Sequence, residues 1–236
     1  MDVIKLVRSM QKTVFSLNEF ARILKKPKNY SSIVLGRLKR KGLIRKIERN
    51  RYALEDTSDN VIFSNLIYPS YLSFLTAFSY YSLTTQIPKK IHIVSLKSKK
   101  ELKLDNYILR FIKFKPERMF GYKREKTLKG FVFVAEIEKA IIDSLFLPKY
   151  CPVDETYHAL SESLKIIDID KLINYAIRMK NKVILKRIGY LLEKQNIDIY
   201  NKIGKKLNNK YDFLDIHLKK GEKNKKWKLV VNRSLG

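Results

Sequence analysis

Residues 16–54, SLNEFARILKKPKNYSSIVLGRLKRKGLIRKIERNRYAL, constrain this chain more than any other stretch. Ser16-Leu17-Asn18-Glu19 has the form of a capping box, in which Ser16 accepts from the backbone N–H of Glu19 and the Glu19 side chain reaches back. A helix from there to about residue 24 puts Leu17, Phe20, Ala21 and Leu24 on one face, and Pro27 stops it. A turn over 25–29 follows. Ser31 or Asn29 then caps a second helix, about 31–41, which ends at Gly42, a residue suited to the position after a helix. Residues 43–47 and 51–54 alternate as two strands around Glu48-Arg49-Asn50. A helix over 2–10, with Ile4, Val7 and Met10 at helical spacing, and a short strand at Val14-Phe15 come before them. This order predicts a winged helix-turn-helix over residues 1–56.

The second helix of that unit turns Val34, Leu35 and Leu38 inward, so Ser32, Gly36, Arg37 and Arg40 face out. Short side chains near its start would let its backbone approach a DNA groove, and the arginines further along reach phosphates or guanine edges. Tyr30, Ser31, Ser32, Arg37 and Arg40 are therefore candidate DNA contacts on the helix. Arg45, Arg49 and Arg51 are candidates on the hairpin, for backbone or minor-groove contacts, while Ile44, Tyr52 and Leu54 supply its core.

Charge agrees with this placement. The formal net charge is +27, which alone suits any polyanion. Residues 1–55 hold 15 Lys+Arg against 4 Asp+Glu, 56–204 hold 25 against 16, and 205–236 hold 10 against 3. A basic excess concentrated on a small module is what phosphate neutralisation requires. The hydrophobic fraction of 45% argues against disorder, and 236 residues suffice for one large core or two small ones. No run of about 18 apolar residues predicts a membrane span. The opening MDVIKLVRSMQK lacks a signal-peptide core, so a cytoplasmic location is expected. The single Cys151 excludes an internal disulfide and a cysteine-based zinc site, and is read as a partly buried free thiol.

Residues 55–60, EDTSDN, read as a linker. Beyond them, Ser73 caps an expected helix over 74–82 whose Phe74, Ala77, Phe78 and Tyr81 are core rather than a base-stacking platform. Strands are expected over 91–96 and 107–114, a hairpin over 123–127 and 131–135, and helices over 136–147, 154–164, 170–179, 182–195 and 198–207, with Asp168 or Asp170 as a cap. YDFLDIHLKK and KWKLVVNR read as two strands around 221–225. Gly189 inside a helix implies close packing by another element, with Arg187 and Glu193 outside, and Trp227 packs the terminal hairpin. The fold class is thus α+β, a winged helix followed by a mixed α/β domain over 57–236.

Catalytic and metal motifs are absent from the sequence. His92, His158 and His217 lie in no ligand spacing, and there is no phosphate-cradling glycine loop. Glu136, Glu138 and Asp143 in EIEKAIID could form an acidic cluster, but residues 138 and 143 sit about 140° apart on a helix. First-turn acids complementing the helix dipole are the simpler reading, beside an apolar stripe of Ile137, Ile141, Ile142 and Leu145. No catalytic residue, metal or cofactor is expected.

The order of the basic N-terminal unit, YPSYLSFLTAFSYYSL, VAEIEKAIIDSLFLP, RIGYLLEK and a terminal W-x-L-V-x-N resembles AbiEi-type proteins over nearly the whole chain. These are the antitoxins and autorepressors of type IV toxin–antitoxin systems. The resemblance implies repression of the chain's own promoter at inverted repeats in double-stranded DNA. It also implies a C-terminal antitoxin domain that opposes a nucleotidyltransferase-like toxin without a stable complex. It leaves open a monomer or a dimer. Two other readings stay open: an orphan regulator without a toxin, and a nucleic-acid-targeted enzyme in residues 60–236. In a further one the basic tail binds RNA or the toxin.

Overall fold

A computed structural model describes residues 5, 7 and 13–235. Of the expected helix over 2–10, Ile4 and Met10 lie outside the described residues; Lys5 and Val7 are helical, and Val7 is buried. Strand β1 (Val14–Phe15) leads into α1 (Leu17–Leu24), which carries the capping box: Ser16 Oγ accepts from Glu19 N at 3.2 Å and the Glu19 carboxylate accepts from Ser16 N at 2.8 Å. Lys25 turns left-handed at φ 53° and closes α1.

α2 runs Lys28–Arg40, three residues earlier than the expected start. Pro27 does two jobs: it ends the previous helix, and it occupies the N-cap position of α2, so the turn shrinks to Lys25-Lys26-Pro27. The other end follows expectation. Gly42 at φ 63° is the residue after the cap, Gly42 N donates to Lys39 O and Leu43 N to Leu38 O, which is the Schellman pairing. β2 (Ile44–Glu48) and β3 (Arg51–Leu54) then pair antiparallel, and β1 joins on the far side of β3, giving the order β1-β3-β2.

Residues 55–60 are not a free linker. Thr57 is buried, and α3 (Asp59–Asn65) starts within the segment and packs on a later strand. A six-stranded mixed sheet follows, in the order β6-β7-β5-β4-β9-β8. Its strands are β4 (Ser70–Leu72), β5 (Lys90–Ser95), β6 (Leu102–Leu104), β7 (Tyr107–Lys113), β8 (Tyr122–Thr127) and β9 (Gly130–Ala135). β5–β7 and β4–β9 are the parallel pairs. α4 (Leu75–Tyr80) packs on β5 and α5 (Ile137–Phe146), and α5 lies between this sheet and the helices α6 (Val153–Ser163), α7 (Ile169–Arg178) and α8 (Lys182–Lys194).

Ser73 does not cap α4: its hydroxyl donates to Asp143 instead, and buried Phe74 takes φ 57° to turn the chain from strand to helix. α5 is buried on almost every side, including Glu138, Lys139 and Asp143, so its expected single apolar stripe is only part of its core surface. Residues 200–206 form a short α9 (Tyr200–Ile203) and a 3-10 turn. The C-terminal segment departs from a hairpin. β10 (Asp212–Phe213) pairs parallel with β12 (Leu229–Val231), and β11 (Glu222–Asn224), inside the expected turn, supplies the antiparallel neighbour. Trp227, fully buried, lies against Gly189, where a Cβ would meet its ring at 2.1 Å.

Two apolar clusters form. Phe15, Phe20, Leu24, Leu35, Leu38 and Ile44 make the smaller one. The other face of the N-terminal sheet, Val14, Ile47 and Ala53, belongs to the large cluster with Val61, Phe63 and the six-stranded sheet. The N-terminal unit is therefore fused to the rest through a continuous core. The turn before β9 closes the seam: a side chain at Gly130, φ 139°, would meet Thr13 Oγ1 at 2.6 Å and Val61 Cγ1 at 3.0 Å.

Candidate nucleic-acid interface

α2 buries Ser31, Leu35 and Leu38 against α1 and leaves two outward rows. Tyr30, Ile33, Arg37 and Arg40 recur at the helical i, i+3, i+4 spacing, and Ser32, Gly36 and Lys39 run beside them; all are exposed. The sequence KNYSSIVLGRLKR contains no acid, so the helix presents cations, hydroxyls, the Asn29 amide and apolar groups over about 20 Å. Gly36 has nothing within 4 Å of a Cβ position, so the outer face of α2 is flat there.

Ile33, 56% exposed, is an outward apolar side chain that sequence reasoning missed. It sits out of step with the buried Leu35 and Leu38, and that offset was the available signal. A bare apolar side chain beside arginines suits a thymine methyl.

Ser31 is a correction. It is 0% exposed, and its hydroxyl points to Lys26 O at 3.5 Å. The earlier start of α2 rotates Ser31 onto the inner face, so it cannot touch a ligand laid on the outer one.

The hairpin divides its three arginines. Arg49 stands exposed in the two-residue turn between β2 and β3. Beside it, Asn50 takes φ 60° and its Oδ1 accepts from Leu17 N at 2.9 Å, tying the turn to the start of α1. Arg51 lies 4.0 Å from the Glu19 carboxylate, and 39% of its side chain remains exposed.

Arg45 is the second correction. Its guanidinium donates to Asp59 at 2.7 Å and Thr57 O at 3.1 Å, and pairs with Asp105 at 3.4 Å. Those bonds fasten β2 to the second region and consume the charge that a phosphate would need.

Glu136 and Glu138, at the start of α5, converge on Lys171, and Asp143 does not join them. Glu136 accepts from Tyr175 at 2.5 Å and pairs with Lys171 at 3.1 Å. Burial pushes its carboxyl up, but those hydrogen bonds outweigh it and hold it below the usual range. Glu138 accepts from Asp168 N at 3.2 Å and pairs with Lys171 at 3.5 Å. Asp143 faces elsewhere, paired with Lys139 and receiving Ser73 at 2.8 Å and Tyr71 at 3.1 Å. Burial drives Asp143 up and Lys139 down, and each holds the other against that pressure.

A groove of about 570 Å³ between α8 and the C-terminal sheet is lined by Tyr190, Glu193, Lys194, Glu222 and Lys223. Its Glu193 is engaged by Trp227 Nε1 at 2.6 Å and by Lys226. Arg187, expected outside, is buried, donating to Leu145 O and Phe213 O. Cys151 is buried, and burial pushes its thiol up to about 12. Among the described residues, no group of three His, Cys, Asp or Glu side chains could hold a metal ion. No described helix is long and apolar enough to cross a membrane.

No protein-family model and no curated protein sequence matches the chain. One solved structure it is similar to is the crystal structure of the RV2827C protein from Mycobacterium tuberculosis, at 12% identity and a TM-score of 0.65, covering 96% of this chain and 89% of that one. That likeness extends to the fold alone.

Proposed function

We propose that residues 13–54 form a winged helix-turn-helix that reads duplex DNA, and that the chain is a sequence-specific transcriptional repressor of its own promoter. The observation that carries this reading is α2: an acid-free helix whose outer rows hold Tyr30, Ser32, Ile33, Arg37 and Arg40. It follows α1 after a three-residue turn and precedes a two-stranded hairpin to which β1 adds a third strand. Such a helix lies in the major groove, its arginines bidentate to guanine or bound to phosphate. Arg49 and Arg51 hold the backbone from the wing.

The engagement of Glu136, Glu138 and Asp143 by cations and hydroxyls of the same chain favours a non-enzymatic reading of residues 60–236. Pairing with a nucleotidyltransferase-like toxin rests on the resemblance to AbiEi-type antitoxins.

Anisotropy titration with a duplex from upstream of the chain's own reading frame tests the repressor reading. Arg37→Ala with Arg40→Ala should weaken binding at least about 30-fold, since each bidentate contact is worth about 1–3 kcal/mol. Unchanged binding by that variant would remove α2 from the interface and sink the proposal.

A further inference from the structure

Beside the hairpin, the second region brings a lysine-rich segment to the edge of β2. Lys99 Nζ reaches the Glu48 carboxylate at 2.5 Å, and Glu48 is the residue next to Arg49 at the hairpin turn. At the other end of β2, Arg45 pairs with Asp105. Residues 99–105 are therefore tied to β2 near both of its ends by side-chain ion pairs. The Lys99 pair also neutralises Glu48, the acid next to Arg49, which would otherwise repel a phosphate approaching Arg49.

Lysines within and just before that segment are free to act. Lys97, Lys100 and Lys103 are exposed, and no acid among the described residues pairs with any of them. The segment's own acid, Glu101, is held by Arg110 at 2.8 Å. The shared apolar core of Val14, Ile47 and Ala53 with Val61 and Phe63 keeps hairpin and segment in one fixed relation.

Resting on the DNA-binding reading above, we propose that Lys97, Lys100 and Lys103 extend the wing as a second phosphate-binding strip. The protein surface that grips the duplex then includes the six-stranded domain. The strip contacts the sugar–phosphate backbone flanking the base pairs read by α2, and contributes affinity without sequence preference.

The test is a salt titration of full-length chain on a duplex of about 40 base pairs, long enough to include the flanks of one site. Three variants are compared with the parent: Lys97→Ala/Lys100→Ala/Lys103→Ala; a charge-matched control, Lys219→Ala/Lys220→Ala/Lys225→Ala, in the loops on either side of β11; and Arg37→Ala/Arg40→Ala. Loss of the strip should lower the slope of log K against log salt by about 2 to 3, at roughly 0.9 per phosphate, equally on specific and unrelated duplexes. The control should keep the parental slope. Equal losses in both lysine variants would mean that bulk charge alone acts, and no loss in either would mean that the strip is idle; each overturns this inference while the repressor reading survives. A parent that binds no duplex, or an unaffected Arg37/Arg40 variant, removes the reading itself and this inference with it.

Discussion

Arg37, Lys39 and Arg40 on α2 stand in solvent on a helix with no carboxylate of its own. Lys139 on α5 and Lys186 and Arg187 on α8 are buried, and each is met by acceptors: Asp143, then Asp212 at 2.6 Å, then two backbone carbonyls. Burial pushes Arg187 down to about 10 even so. The same residue types are put to opposite uses. An exposed cation keeps its charge available to a phosphate and contributes little to stability. A buried one is held by fixed acceptors of the same chain, and losing them is severe. Arg45 marks the border: it sits on the hairpin, where phosphate contacts were expected, yet is spent on joining the two regions.

The largest effect should come from Lys139→Met, which strands Asp143 uncompensated and should cost about 3–5 kcal/mol in urea unfolding. Adding Asp143→Leu should recover much of that. Arg37→Ala with Arg40→Ala should stay within about 0.5 kcal/mol of the parent. A double variant at 139 and 143 no more stable than the single one would break the contrast.

Next is acidification. Burial pushes His92 down to about 4, helped by Arg110 and Lys90, and its Nδ1 has no partner. The folded chain resists protonation that the unfolded chain accepts near 6.5. The contribution is therefore complete above that value and is lost as pH falls toward 4, by about 3 kcal/mol. His92→Phe should flatten that part of the pH–stability curve, and an unaltered curve would show that another group dominates.

Gly189→Ala should cost about 1–3 kcal/mol by pushing Trp227 aside. Trp227 is the single tryptophan, so its emission should report the shift, and a silent spectrum would mean that the contact is looser than 2.1 Å implies. Smallest, Gly36→Ala on the open face of α2 should stabilise the fold by about 1 kcal/mol. On the proposed reading, the same change should weaken DNA binding by placing a methyl on the face turned to the groove. Stabilisation with unchanged binding would move the groove contact away from Gly36.

Local rules made the N-terminal unit legible. The Ser16 box and Gly42 lie within a few residues of the groups they satisfy, so their spacing alone exposes them. The Gly189 contact was readable too, because a mid-helix glycine needs a reason. What could not be read depended on residues far apart in the chain. Arg45 looks like any hairpin arginine until Asp59 and Asp105 are brought beside it. Ser31 looks like a cap until Pro27 starts the helix early. β4 is three residues long and wholly buried, with no alternation to announce it. β10 and β12 pair parallel, and no turn signature reports that.

The seam at Gly130, Thr13 and Val61 leaves the proposed reading helix without a swivel. If two copies sit on an inverted repeat, each base pair added between half-sites turns one copy by about 35° and moves it about 3.4 Å along the axis. A head on a flexible tether would absorb that rotation. A head welded to its body carries the whole molecule around the duplex instead. The outline of the large domain then becomes a ruler that sets which operator spacings two copies can occupy together.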